Sequence, residues 1–225
     1  MQSDVDTKAE RMKAFPVSWV TTNKRLLLIG GCDGTLCRVA HAIRFDWADI
    51  HVLLPEQVEP LCTTCLGDSR VRLEQRPVTE NDVKEADLVL LGVMDDALSD
   101  QLATWCRAQG VPLNAMDKIE CCDLYYASLV FREPLVLSIG SGGGSPALSS
   151  VLRRWLEEHI SPGWGHAANL LAKLREQIAN VPGRSALLKE VAQDPDMLRC
   201  IEADDVEGMR SKIDQAYDRF RTGTE

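Results

Sequence analysis

Leu26-Leu27-Leu28-Ile29-Gly30-Gly31, with Arg25 before it, decides the fold. A short run that is apolar without alternation is the pattern of a strand buried on both faces. The glycine pair ends it at once. Val39, Ala40 and Ile43 then recur at helical spacing, up to about Phe45. A strand, a glycine turn and a helix in that order let backbone N–H groups and a helix N-terminus face a pyrophosphate. In the G-x-G-x-x-G frame the three positions are Gly30, Cys32 and Thr35, so only the first is glycine, with Gly34 beside the last. A plain strand-to-helix turn fits these residues as well as a nucleotide site does.

Outward from this turn the rhythm repeats. Ile50 to Leu54 reads as a second strand and Val71-Arg72-Leu73 as a weak third. Thr79, with Asp82 three residues on, is an acidic variant of a helix-start box. Asp87 to Gly92 is another buried run. Leu98, Leu102, Trp105 and Cys106 line one face of a helix ending at Gly110, and Val111 to Met116 returns to strand. Strands alternating with helices predict right-handed crossovers and a mainly parallel sheet. Around Asp117 the pattern changes. Tyr125 to Phe131 and Pro134 to Ile139 are β-rich with no helix between them, which suggests a small separate sheet or strands lent to a partner chain. Ser141-Gly142-Gly143-Gly144-Ser145 breaks the chain, with Ser145 placed to cap a helix that Pro146 begins. Val151, Leu152, Trp155 and Leu156, then Leu170, Leu171, Leu174 and Ile178, and further apolar sets to Ile201 predict a helical last region.

Composition narrows the function classes. Apolar residues at 45% and charged residues at 26% of 225 residues are globular values, not those of a disordered or collagen-like chain. Aromatics at 5% argue against a base-stacking surface. A net charge of −9 disfavours binding to nucleic acid or anionic lipid. No apolar run reaches the roughly 18 residues of a membrane span, and residues 1–14 are polar and mixed in charge, unlike a signal peptide. The default is a cytoplasmic protein. Eight cysteines in a chain of this length do not suggest a disulfide framework. Cys62 and Cys65 have metal-ligand spacing, but a closed zinc site needs four ligands and no second knuckle is visible, so no metal site is expected.

Two further features carry chemistry. Asn114-Ala115-Met116-Asp117 ends a predicted parallel strand, where ligands of open α/β sheets gather; a lone carboxylate there is more often a loop cap than a catalyst. The Ser141 to Ser145 loop precedes a helix and offers N–H groups to carboxylates, or serves as a hinge.

In order, these segments resemble the siroheme synthase N-terminal family, the precorrin-2 dehydrogenases and sirohydrochlorin ferrochelatases. Phe15-Pro16 and Leu28-Ile29-Gly30-Gly31-Cys32-Asp33 are similar to its opening, and Gly92-Val93-Met94-Asp95-Asp96 to its Ala-Ala-Thr-Asp-Asp. Asn114 to Asp117 resembles its Asn-Val-Val-Asp, Arg132-Glu133-Pro134-Leu135 its Arg-x-Pro-Leu, and Ser141 to Leu148 its Ser-x-Gly-x-Ser-Pro loop. The resemblance covers roughly residues 15 to 205. It implies an α/β fold in three parts after a polar extension at 1–14: a Rossmann-like NAD-binding parallel sheet at 15–117, a small dimerisation sheet within 118–149 and a C-terminal helical domain at 150–225. It implies a homodimer that oxidises precorrin-2 to sirohydrochlorin with NAD, some members also inserting iron. Asp117 takes the place of the family's acid/base. Gly30, Gly31, Asp33, Gly34, Pro55, Glu56 and Asp95 fall where NAD is held, and Asn114, Ser141, Gly142, Gly143 and Ser145 where the tetrapyrrole is held.

The chain also departs from the pattern. Cys32 and Thr35 replace the glycine and the small residue of the phosphate loop, and Met94 replaces the threonine before Asp95. Thr35 is expected to crowd the helix against the strand. A degenerate relative that binds tetrapyrrole or inserts metal without oxidation is the alternative. Eight substrate carboxylates on an acidic protein also call for local donors; Arg38, Arg132, Arg153 and Arg154 are candidates, or else solvated surface charges.

Overall fold

The computed structural model describes residues 14–31, 33–54 and 67–223, with α1 described at its first turn mainly as backbone. Most of the polar extension, Cys32, the Pro55-Glu56 turn and the Cys62/Cys65 pair lie outside the described residues. The chain divides into two compact units, residues 1–126 and 127–225.

In the first unit β1 (Arg25–Ile29) leads through Gly30 into α1 (Asp33–Ala42). β2 (Asp49–Leu54), β3 (Val71–Gln75), α2 (Glu80–Lys84), β4 (Leu88–Leu91), α3 (Asp96–Gln109) and β5 (Leu113–Ala115) follow. The sheet is parallel throughout, in the order β3-β2-β1-β4-β5, with Leu28 opposite Val52 on one side and Leu90 on the other. Residues of β1 alternate between two cores. Leu27 and Ile29 pack with Val83 of α2 and Leu102 and Cys106 of α3, while Leu26 and Leu28 pack with Val39 and Ala42 of α1. That is why the strand reads as continuously apolar.

Local signals account for the element ends. The Asp82 carboxylate accepts from the Thr79 amide at 2.8 Å and the Thr79 hydroxyl at 2.7 Å, opening α2 as the box predicts. Gly110 takes the left-handed conformation after α3 (φ 68°), and the Val111 amide turns back to the Cys106 carbonyl. Val111 is thereby used to close the helix and Pro112 has no N–H, so β5 begins at Leu113 and is shorter than the sequence suggests.

The second unit begins with an antiparallel hairpin, β6 (Ser128–Arg132) and β7 (Leu135–Ile139). α4 (Pro146–His159), α5 (Gly163–Gln177), α6 (Arg184–Gln193), α7 (Pro195–Glu202) and α8 (Val206–Thr222) follow. Leu174, Ile178, Leu187, Val191, Met197 and Met209 form its core, drawn from α5 to α8. The apolar face expected on α4 does not join it: Val151, Leu152 and Trp155 are 53%, 42% and 51% exposed, because no element of this unit covers them. Among the described residues no helix is long and apolar enough to cross a membrane.

Candidate functional site

The order of strands reverses beside β1: β2 and β3 lie on one side, β4 and β5 on the other. A crevice outside the carboxyl ends of the strands is expected at that switch point. Gly30 follows β1 there, and Gly92 follows β4. Their amides donate to the carbonyls of Leu53 at 2.9 Å and Ile29 at 2.7 Å, continuing the ladders past the strand ends. Gly30 has φ 126°, a conformation open only to glycine, and a Cβ on it would lie 2.9 Å from Thr35 Oγ1 and 3.0 Å from Val93.

Thr35 does not crowd the helix outward, as the sequence suggests. It is fully buried, and its hydroxyl occupies the space that a side chain at position 92 would need: a Cβ built on Gly92 would overlap Thr35 Oγ1. Glycine at 92, where the related motif has alanine, makes room for threonine at 35. The turn therefore keeps the cradle of a dinucleotide site, with α1 starting three residues after Gly30 at the carboxyl edge. Gly31 lies in that turn; Asp33 and Gly34 form the first residues of α1.

Asp95 is a helix cap in this structure. Its Oδ1 accepts the Leu98 amide at 2.9 Å and so starts α3. Met94 before it is 78% exposed.

Asp117 stands two residues past β5 with φ 58°, a left-handed conformation uncommon for a residue with a side chain. Its side chain is exposed, and among the described residues its carboxylate makes no hydrogen bond or ion pair. Both flanks are held. The Met116 amide donates to the Leu91 carbonyl at 3.1 Å, and Lys118 Nζ donates to Asp96 O at 3.0 Å and lies 2.8 Å from Asp100 Oδ1.

Asn114, expected at the tetrapyrrole, is buried and used within the fold. Its Oδ1 accepts from Arg38 Nη2 at 3.1 Å, and its Nδ2 donates to Leu124 O at 3.0 Å. Arg38 Nη1 donates to Leu91 O at 3.0 Å, and the guanidinium lies over the Tyr126 ring, so this arginine ties α1 to β4 and β5 and is not a surface anion donor. The Tyr126 hydroxyl is 3.1 Å from His41 Nδ1, and burial holds the phenol well above its ordinary pKa. Tyr126 and His41 carry no motif that would have drawn notice in the sequence; only the structure brings them beside Arg38.

In the second unit Gly142 and Gly143 take φ 62° and 82°, and the Ser145 amide donates to Ser141 Oγ at 3.0 Å. Ser141 thus braces the loop, while Ser145 occupies the cap position of α4 without a side-chain cap bond. Arg132 is committed internally, to the carbonyls of Ile160 (2.7 Å), Glu157 (2.6 Å) and Phe131 (2.8 Å). Arg153 pairs with Glu157, and Arg154 remains exposed.

A cavity of about 420 Å³ lies away from these residues, beside Arg25, Asp49, His51, Arg72, Asp82 and Glu85. It opens near the first residues of β1 and β2, not at the switch point, and several of its charged side chains are already paired: Arg72 with Asp49 inside it, and Asp82 with Arg76 outside it. Among the described residues no cluster of three or more His, Cys, Asp or Glu could hold a metal ion. The described cysteines are free; burial pushes the Cys106 thiol up to about 12 and raises that of Cys121.

A family model described as "Putative NAD(P)-binding" matches residues 17–128, the first compact unit nearly entire. A siroheme synthase of Psychrobacter sp. is 30% identical over 167 residues, 74% of this chain and 34% of that protein. The siroheme biosynthesis protein met8 of Schizosaccharomyces pombe is 26% identical over 169 residues, 73% of this chain and 63% of that one. The chain is similar to siroheme synthases and to met8 across a segment that includes the NAD(P)-binding match. It spans about a third of the length of the first relative and under two thirds of the second. Among solved structures, the precorrin-2 dehydrogenase SirC has the same fold, with a TM-score of 0.69 at 17% identity over 91% of this chain and all of that one. The fold expected of the family, a parallel sheet, a small antiparallel sheet and terminal helices, is the fold observed. The first unit carries the match to a nicotinamide dinucleotide-binding domain.

Proposed function

We propose that the chain oxidises precorrin-2 to sirohydrochlorin with NAD, in siroheme synthesis, as a cytoplasmic homodimer. The observation that carries this reading is the Asp117 turn: an exposed carboxylate, held on both flanks, at the carboxyl end of a strand on the β4 side of the switch point. Oxidation removes one hydride and one proton from the macrocycle. The bound nicotinamide supplies the hydride acceptor. Asp117 takes the proton, for which an exposed and sterically open carboxylate is suited.

Gly30, Gly31 and the first residues of α1 would hold the pyrophosphate at the cradle that a Cβ would fill. Glu56, two residues beyond the end of β2, favours NAD over its 2′-phosphorylated form, because an acid at that place bonds a ribose hydroxyl and repels a phosphate. The Gly142 and Gly143 amides and the start of α4 supply donors for substrate carboxylates, on a protein whose net charge of −9 requires local ones.

The homodimer accounts for the open apolar surface of the second unit, Val151, Leu152 and Trp155 on α4 and Leu135 and Val136 on β7. Five described cysteines without a disulfide suit a reducing compartment. A second reading, metal insertion into sirohydrochlorin without oxidation, is favoured by Met94, exposed where the family has threonine. The same Asp117 would then accept pyrrole N–H protons.

Incubating the full chain with precorrin-2 and NAD, and following sirohydrochlorin absorbance, tests the proposal. Product formed faster with NAD than with NADP supports it. No product with either, while ferrous iron is inserted into supplied sirohydrochlorin, replaces it with the second reading.

A further inference from the structure

β5 is an edge strand of three residues, with β4 on one side only. Its outer side is closed by the chain's own return. After the Asp117 turn a 3-10 turn, Ile119–Cys121, brings Cys122 to Leu124 back alongside. At Leu113 the closure uses backbone and carboxylate: the Asp123 amide donates to Leu113 O at 2.8 Å, and Asp123 Oδ2 accepts the Leu113 amide at 3.0 Å.

At Ala115 both groups meet one thiol. Cys122 Sγ accepts the Ala115 amide at 3.3 Å, and its hydrogen lies toward the carbonyls of Ala115 at 3.1 Å and Lys118 at 3.4 Å. The same sulfur is 3.6 Å from Asn114 Nδ2. Ala115 is buried, so its amide and carbonyl cannot turn to water instead. Between Ala115 and Lys118 sits Asp117, in a backbone conformation unfavourable for a residue with a Cβ, which persists only if its surroundings impose it.

We propose that Cys122 is a positioning residue for Asp117: its thiol acts as the missing strand partner of Ala115, reaches the Lys118 carbonyl, and thereby fixes the left-handed turn that aims the carboxylate. This rests on the reading of Asp117 as the acid/base. Serine in its place keeps one donor and one acceptor on a shorter arm; alanine keeps neither and leaves the Ala115 amide without an acceptor.

The test compares Cys122→Ala, Cys122→Ser and Asp117→Asn in the full chain. Cys122→Ala should lower kcat for precorrin-2 oxidation roughly 10- to 100-fold, the scale of a misplaced reacting group, with KM for NAD unchanged. Cys122→Ser should recover most of that loss. Hydrogen exchange should show the Ala115 amide accelerated in Cys122→Ala while the Leu113 amide, held by Asp123, keeps its protection. Wild-type kcat in Cys122→Ala, equal damage from serine and alanine, or exchange accelerated evenly along β4 and β5 would each overturn the proposal. If Asp117→Asn itself turns over at the wild-type rate, the acid/base reading fails and takes the catalytic half of the proposal with it. An inactive Asp117→Asn beside an Ala115 amide indifferent to Cys122 rejects the thiol's role alone.

Discussion

The first compact unit seals its sheet on both faces, with Leu27 and Ile29 against α2 and α3 and Leu26 and Leu28 against α1. The second unit has a core of its own but leaves α4 open, with Val151 and Trp155 about half exposed. A sealed unit of this kind has its tolerances set by packing and its chemistry confined to the rim where the strands end. A unit with an uncovered apolar helix has part of its surface set aside for another molecule. The two should therefore fail in different ways when altered.

The largest effect belongs to the rim. Asp117→Asn should reduce turnover by about 100-fold or more, the range for a lost general acid/base, while leaving the melting temperature and NAD binding as they are. Steady-state kinetics beside calorimetric titration with NAD separates the two readouts. Loss of NAD affinity would mean that the turn serves the cofactor and not the proton.

Inside the seal, Gly92→Ala should destabilise by about 1–3 kcal/mol, as overpacking does. Thr35→Ala in the same chain should return much of it, since the two side chains compete for one space. A denaturant double-mutant cycle measures the coupling; simple additivity would show that the two positions do not share that space.

On the open helix, Trp155→Asp should leave the folded unit intact and abolish self-association. Light scattering at micromolar concentration is expected to give twice the chain mass for the wild type and one chain mass for the variant, with little change in melting temperature between them at low concentration. A monomeric wild type would mean that the open face of α4 is not a self-association surface.

The smallest effect lies on β2, the strand next to the edge strand β3. His51 is 8% exposed, and its Nε2 is 3.1 Å from Glu74 Oε1 without hydrogen-bond alignment. Burial chiefly, with Arg72 beside it, holds the imidazole below its ordinary value of 6.5. The unfolded chain then binds the proton first, so His51 weakens stability as the pH falls below about 6.5. Melting temperatures between pH 8 and 5.5 should decline more steeply for the wild type than for His51→Gln. Parallel slopes would exclude this residue as the cause.

Much of the first unit was legible because its physics is local. The β1 run, the glycine after it, the Thr79–Asp82 box and the Gly110 cap each state their structure within a few residues. Asp117 was singled out by the family resemblance alone, because a lone carboxylate after a strand states no role of its own. The meaning of Thr35 was not legible, since its partner, Gly92, is brought to it only when β4 lies beside β1. Asn114 and Arg38 escaped for the same reason: each polar residue taken alone suggests a ligand contact, and only the closed fold shows them bonded to each other. The apolar face of α4 was legible but its exposure was not, because periodicity reports an apolar stripe and not what lies across from it.

The stopped edge at β5 has a consequence for crowding. An open strand end is a template on which any other extended chain can lay itself, and short edge strands are commonly guarded for that reason. Here the outward amides and carbonyls of Leu113 and Ala115 are all answered from residues 122 and 123. Growth by strand addition is blocked on that side of the sheet, so misassembly of the folded chain, under stress or at high concentration, has to begin elsewhere.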